Sequence, residues 1–152
     1  MIENMKAVIQ RVTKAQLKVD GETVSEIGNG YVVFFGVRKG DTEKEAEFIV
    51  GKLVRLRIFE DENGKINRSL KDVGGEVLFV SQFTLYADAS HGNRPDFLAA
   101  EEPARAEKLY RYAAALLAKE VPVKLGVFGA DMKIAQTNDG PFTLILEKRH
   151  EE

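Results

Sequence analysis

Tyr31-Val32-Val33-Phe34-Phe35-Gly36-Val37 is apolar at every position but its glycine, so both alternating faces are apolar. A strand of this kind belongs in the middle of a sheet covered on both sides. The chain breaks at Gly28-Asn29-Gly30 just before it. Further upstream, Ala7-Val8-Ile9-Gln10-Arg11-Val12 and Gln16-Leu17-Lys18-Val19 alternate as strands do, and Asp20-Gly21 is a hairpin signal ahead of Thr23-Val24-Ser25. Downstream, Asp41-Thr42 opens a helix, with Glu45 completing a capping-box pattern. Ala46, Ile49, Val50, Leu53 and Leu56 then form one apolar stripe. Ile58-Phe59-Glu60, Asn63-Gly64 and Lys65-Ile66-Asn67 predict a second hairpin, and Gly74-Gly75 precedes a strand that runs from Glu76 toward Tyr86. A second helix follows Pro103, with Ala106, Leu109, Tyr110, Ala113, Leu116 and Leu117 at helical spacing. Residues 121–128 and 142–147 read as closing strands. The expectation is an α/β (α+β-like) fold with layered strands, a mixed sheet and two main helices on one face.

The 152 residues make one domain, 1–152, the default, and 44% hydrophobic with 30% charged residues is the balance of a folded globular chain. There is no cysteine, which excludes disulfides, thiolate nucleophiles and Cys-ligated metals. With only His91 and His150 present, a histidine-built zinc site is not expected, and a His-based triad would have to use His91. No run approaches the ~18 apolar residues of a membrane span. The first six residues carry no charged-then-apolar leader pattern, so no membrane and a cytoplasmic location are expected. Net charge −2 and a pI of about 5.8 give no overall attraction for phosphate backbones.

G-x-S-x-G, G-x-x-x-x-G-K-[ST] and H-E-x-x-H are all missing, and no nucleotide cofactor or metal is expected. Ser81-Gln82-Phe83-Thr84 places polar groups at the end of the buried run Val77-Leu78-Phe79-Val80. Such groups either face a cleft or mark a strand emerging into water. A hydroxyl nucleophile there needs a base, and none is nearby in sequence. Asn138-Asp139-Gly140-Pro141-Phe142-Thr143 is first of all a turn signal, although glycine before proline also lets backbone carbonyls approach a ligand. Residues 87–97 read as a surface connection in which His91 and Arg94 could meet a phosphate. The acids Glu43, Glu45, Glu47, Asp61 and Glu62 read as solvated charges.

Ser81-Gln82-Phe83-Thr84-Leu85 and Asn138-Asp139-Gly140-Pro141-Phe142-Thr143, taken together, closely resemble the D-aminoacyl-tRNA deacylase family. The likeness runs through Leu56-Arg57-Ile58-Phe59, Asp72-Val73-Gly74-Gly75-Glu76 and Gly126-Val127-Phe128-Gly129-Ala130-Asp131-Met132. It leaves residues 1–4 as a short extension. The resemblance implies a layered β/β/α domain with a partly rolled sheet. It also implies an obligate homodimer that hydrolyses the ester of a D-amino acid, or of mischarged glycine, at the 3′ acceptor end of tRNA, as chiral proofreading in translation.

By the same resemblance the Ser81-Gln82-Phe83-Thr84 strand forms one wall of the site, and Gln82, Phe83 and Thr84 touch the ester region. Backbone N–H groups near Phe83 and Thr84 act as the oxyanion hole. Gly140 and Pro141, joined by a cis bond, enter the partner's pocket and refuse L side chains by a clash. Ser81, Phe128 and Met132 complete the substrate contacts. Thr84 lacks a base, which favours water activated by the tRNA's own 2′-hydroxyl. Some positions depart from the family: His91 and Asn93 stand where Lys or Arg is usual, Asp96 where Ser is common, and Phe142 where Val is frequent. A local basic patch near Arg94, Lys133 or Arg11 would suffice for the acceptor end, but the linear order does not show that these residues converge. A non-catalytic binding module and a Thr-dependent esterase of general specificity are the competing readings, and chirality separates the latter.

Overall fold

The computed structural model describes residues 5–148; the expected N-terminal extension and His150 lie outside the described residues. Strand β1 (Lys6–Val19) is one uninterrupted strand rather than two. It turns through Asp20 and Gly21, both at positive φ as a type I′ hairpin requires, into β2 (Glu22–Ile27). β3 (Gly30–Gly36) follows the break at Gly28-Asn29 and continues β2's edge of β1, because Ala15 pairs with Ile27 and Val12 with Gly30. Gly30 is needed there: a Cβ would sit 1.8 Å from the Glu76 carbonyl oxygen.

Helix α1 (Glu43–Arg55) starts at Thr42 with the expected capping box, in which the Glu45 carboxylate accepts from Thr42 N at 2.7 Å. Glu45 is consequently buried, not solvated. Strands β4 (Phe59–Glu60) and β5 (Ile66–Arg68) form the small hairpin. A one-turn helix α2 (Leu70–Val73) follows, capped by Ser69 and Asp72 and ended by Gly74 at positive φ. That S-x-x-D cap was the unread signal. β6 (Glu76–Ser81) runs parallel to β3, and α3 (Pro103–Ala118) begins at the expected proline. β7 (Val123–Leu125) is shorter than expected and β8 (Lys133–Glu147) much longer.

The sheet is mixed, in the order β2-β1-β3-β6-β7, with β8 antiparallel along β1's other edge. β3 is buried on both sides. Tyr31, Val33 and Phe35 join the core under α1 and α3, while Val32 joins a second core with Val12, Ala15, Leu17, Leu78 and Val80. The long β1 and β8 roll over to cover that second core, which gives the α/β fold with helices on one face and strand layers behind. Among the described residues no helix is long and apolar enough to cross a membrane.

Candidate active site

β6 ends at Ser81 because the chain must fold back. Gln82 N still donates to Phe35 O at 2.8 Å, but residues Phe83–Tyr86 coil into a 3-10 turn. Gly36 makes room for it: a Cβ there would stand 2.9 Å from the Tyr86 ring and 3.1 Å from Leu85. The Tyr86 hydroxyl donates to Gly36 O at 3.1 Å, which locks the turn onto β3. Residues 81–84 are therefore a strand end and a turn, not the strand wall expected of them. Phe83 and Thr84 stand at the start of that turn, where backbone N–H groups have no carbonyl of the preceding turn to bond.

The turn opens one wall of a cleft of about 540 Å³. Ser81, Gln82, Phe83, Phe128 and Met132 all line it. The sequence-predicted residues are thus brought together, with two exceptions. Thr84 is exposed beside the cleft, and its hydroxyl oxygen accepts from Gln82 Nε2 at 2.5 Å. An amide donor is no base, so this contact does not activate the hydroxyl. Gly140 and Pro141 line no part of this cleft.

Several residues not singled out by sequence reasoning shape the cleft. Phe97 packs edge-on against Phe83 with ring centroids 5.0 Å apart. Glu101 lines the cleft with both carboxylate oxygens committed, one to Arg105 Nε (3.1 Å) and one to Glu102 N (2.9 Å). Arg105 Nη2 also donates to Asp41 O at 2.8 Å, tying this wall to the start of α1. Behind Phe128, Tyr110 stacks on Phe79 (5.2 Å) and packs against Phe128 (6.2 Å). Its hydroxyl donates to Phe79 O, and burial pushes its pKa up to about 12, so it stays a protonated strut. Gly126 is empty space that Met132 fills: a Cβ there would meet Met132 Sδ at 2.7 Å.

Gly140-Pro141 is not a turn between strands. It sits inside β8, joined by a cis bond. β1 Gln10 pairs with Thr143 and Val12 with Asn138, so residues 139–142 bulge out opposite the single residue Arg11. The outward strand position of Gly140 and Pro141 leaves both exposed. Arg11, one candidate for a surface basic patch, is 5% exposed and turned inward. Its Nη1 donates to Ile58 O at 2.6 Å and its Nε to Asp139 O at 3.1 Å, and the guanidinium lies 5.2 Å from the centre of the Phe142 ring. Nε also pairs with the Asp139 carboxylate at 3.4 Å. Ala7, Ile9 and Arg11 share one face of β1, but alternation alone does not say that distant segments will close over Arg11 and bring it acceptors.

Lys133 is exposed and ion-paired with Asp131, and His91 and Arg94 lie in the exposed segment near the Asp88–Asp96 bridge. Among the described residues no three His, Asp or Glu side chains are grouped to hold a metal ion.

The sequence and the fold both have counterparts among known proteins. Residues 8–147 match the family described as D-Tyr-tRNA(Tyr) deacylase. A protein of Thermus aquaticus named D-aminoacyl-tRNA deacylase is 53% identical over 144 residues, covering 94% of this chain and 95% of its own length. One of Thermodesulfovibrio yellowstonii with the same name is 51% identical over 146 residues, 95% of this chain and 100% of the relative. Among solved structures, one described as c-Myc DNA Unwinding Element Binding Protein superposes with a TM-score of 0.90 at 44% identity, over 95% of this chain and 99% of that one. A probable eukaryotic D-amino acid tRNA deacylase shares the fold, with a TM-score of 0.81 at 18% identity. The chain belongs to the D-Tyr-tRNA(Tyr) deacylase family, a class of hydrolases that act on aminoacyl-tRNA.

Proposed function

We propose that this protein hydrolyses the ester between a D-amino acid, or mischarged glycine, and the acceptor end of tRNA, spares L-esters, and so proofreads chirality in translation in the cytoplasm. The observation that carries the reading is the meeting of the Ser81–Phe83 and Phe128–Met132 segments in one cleft, in a chain about half identical to named deacylases. A cleft of about 540 Å³ suits a terminal nucleoside with its aminoacyl group, since small-molecule sites run from roughly 300 to 1,000 Å³.

The working site is formed by two copies of the chain. The cleft of one subunit supplies Ser81, Gln82, Phe83, Phe128 and Met132, and the exposed bulge of the other supplies Gly140 and Pro141. Support for this comes from the separation within one chain: the bulge projects to solvent on an edge strand and is absent from the walls of its own cleft. Carbonyls of the bulge accept from the substrate's α-amino group and leave no space for an L side chain. Backbone N–H groups of Phe83 and Thr84 bind the ester oxyanion. Thr84 is held by Gln82 and does not attack; the tRNA 2′-hydroxyl assists water. The tRNA meets few phosphate contacts, in keeping with a net charge of −2.

The test uses catalytic amounts of the protein with D-tyrosyl-tRNA, L-tyrosyl-tRNA and glycyl-tRNA in separate reactions. Loss of the D-tyrosyl and glycyl esters alone is the expected result. Loss of the L-ester as well makes the protein a general esterase, and loss of none leaves a binding module.

A further inference from the structure

The neck of the β8 bulge is bridged by a chain of side-chain amides. Gln136 Nε2 donates both to Gln10 Oε1, at 2.9 Å, and to Asn138 Oδ1, at 2.7 Å. Gln10 Nε2 in turn donates to Thr143 Oγ1 at 3.4 Å. Asn138 is the last residue before the bulge and Thr143 the first after it. The chain of contacts therefore runs from one rim of the bulge to the other. Gln10 lies between Ile9 and Arg11 on β1, so it stands on the opposite face of the sheet from the Arg11 guanidinium. The bulge is gripped from both faces: by Arg11 within and by this amide chain without.

The bulge has particular need of such a grip. Residues 139–142 face one residue of β1, so the regular ladder does not fix them. What sets the direction of Gly140 and Pro141 is then the backbone at the two rims and whatever side chains hold those rims together. Two of the three bonds are exposed and the third is part-buried, and such bonds contribute little net to folding because water replaces them when the chain unfolds. Their effect falls on position rather than on stability.

We infer that Gln136 is a positioning residue: through Gln10 and Asn138 it clasps the neck of the bulge, fixes how Gly140 and Pro141 project, and thereby sets the discrimination between D- and L-aminoacyl esters. This rests on the reading that the bulge enters the neighbouring subunit's cleft. The clasp does not touch the substrate; it acts on the element that does.

Gln136→Leu keeps most of the side chain's bulk, though one atom shorter, and removes both donated bonds, and Gln10→Leu removes the next link. Gly140→Ala alters the bulge itself, because φ is +125° there and a Cβ would crowd Arg11 Nη2 at 3.1 Å. For each full-length variant, kcat and KM are measured on D- and L-tyrosyl-tRNA together with the thermal midpoint. Small misplacements of positioning groups have large kinetic effects, so the expected result is a fall of about tenfold in the D/L ratio of kcat/KM for Gln136→Leu. Gln10→Leu moves the ratio the same way, and both keep the native thermal midpoint. A ratio that stays native in both glutamine variants but collapses in Gly140→Ala overturns the clasp and leaves the bulge as selector. A native ratio in Gly140→Ala overturns the bulge as selector, and the clasp falls with it. If Gln136→Leu lowers the midpoint sharply, Gln10→Leu decides between the same outcomes.

Discussion

The cleft between residues 81–83 and 128–132 is walled by apolar side chains, whereas the bulge at residues 139–142 is held mainly by polar bonds. Phe83 leans on Phe97, Phe128 on Tyr110, and Met132 on the bare backbone of Gly126. Contacts of this kind are numerous, individually weak and tolerant of small shifts. The bulge depends instead on one buried guanidinium with two carbonyl acceptors, a carboxylate and a ring around it. Such bonds are few and directional, so a single substitution removes most of the support. On the proposed function, the division assigns adaptable walls to the side that meets the substrate's variable side chain and a fixed projection to the side that selects its hand.

The comparison breaks most visibly at Arg11. Arg11→Ala leaves the Ile58 and Asp139 carbonyls without a donor and is expected to cost about 3 kcal/mol. Thermal unfolding should register that as a drop of roughly 6–12 °C. Arg11→Lys keeps the charge without the planar fork and is expected to recover only part of the loss. An unchanged midpoint in both variants would mean that the bulge does not depend on its polar grip.

Next in size is Gly126→Ala. The new methyl claims the place of Met132 Sδ, which swings into the cleft, so KM for D-tyrosyl-tRNA should rise about tenfold with kcat within about twofold. Steady-state kinetics check this, and pairing the change with Met132→Val should recover KM. Phe83→Ala removes one face of the aromatic pair. With Phe83 55% exposed, stability should change by less than about 1 kcal/mol, while KM rises about fivefold. The smallest effect is expected at Thr84. Thr84→Val removes a hydroxyl already held by Gln82, and single-turnover hydrolysis should stay within about threefold of native. Abolished turnover with intact binding would instead make Thr84 the nucleophile.

Where local pattern and tertiary surroundings agreed, the fold was readable. The two-sided apolar run of β3, the Thr42 capping box, the Asp20-Gly21 hairpin and the Pro103 helix start all carry short-range signals that nothing distant opposes. Three segments were not readable in this way. Residues 81–86 continue a strand pattern, but the strand stops because Tyr86 and Leu85 find their places over Gly36, fifty residues earlier. Asp139-Gly140-Pro141 carries every mark of a turn, yet β1 offers an edge long enough to hold the strand on both sides, and residues 139–142 become a bulge. Arg11 looks like a surface cation until Ile58 and Asp139 close around it.

The candidate site divides along the same line. Ser81, Gln82, Phe83, Phe128 and Met132 were named from their motifs, and they meet in one cleft. Gly126, Phe97, Tyr110 and Arg105 were not named as site residues, because a glycine that yields its space, a ring that backs another ring and an arginine that ties two loops have no local signature.

By itself the sequence determined the layers, the two main helices and the family, since periodicity, caps and motifs are properties of neighbouring residues. Which way the Gly140-Pro141 segment points, where the β6 strand ends and which cation is buried were decided only in the tertiary structure. Each depends on contacts between residues dozens of positions apart, whose energies exist only once the core has closed.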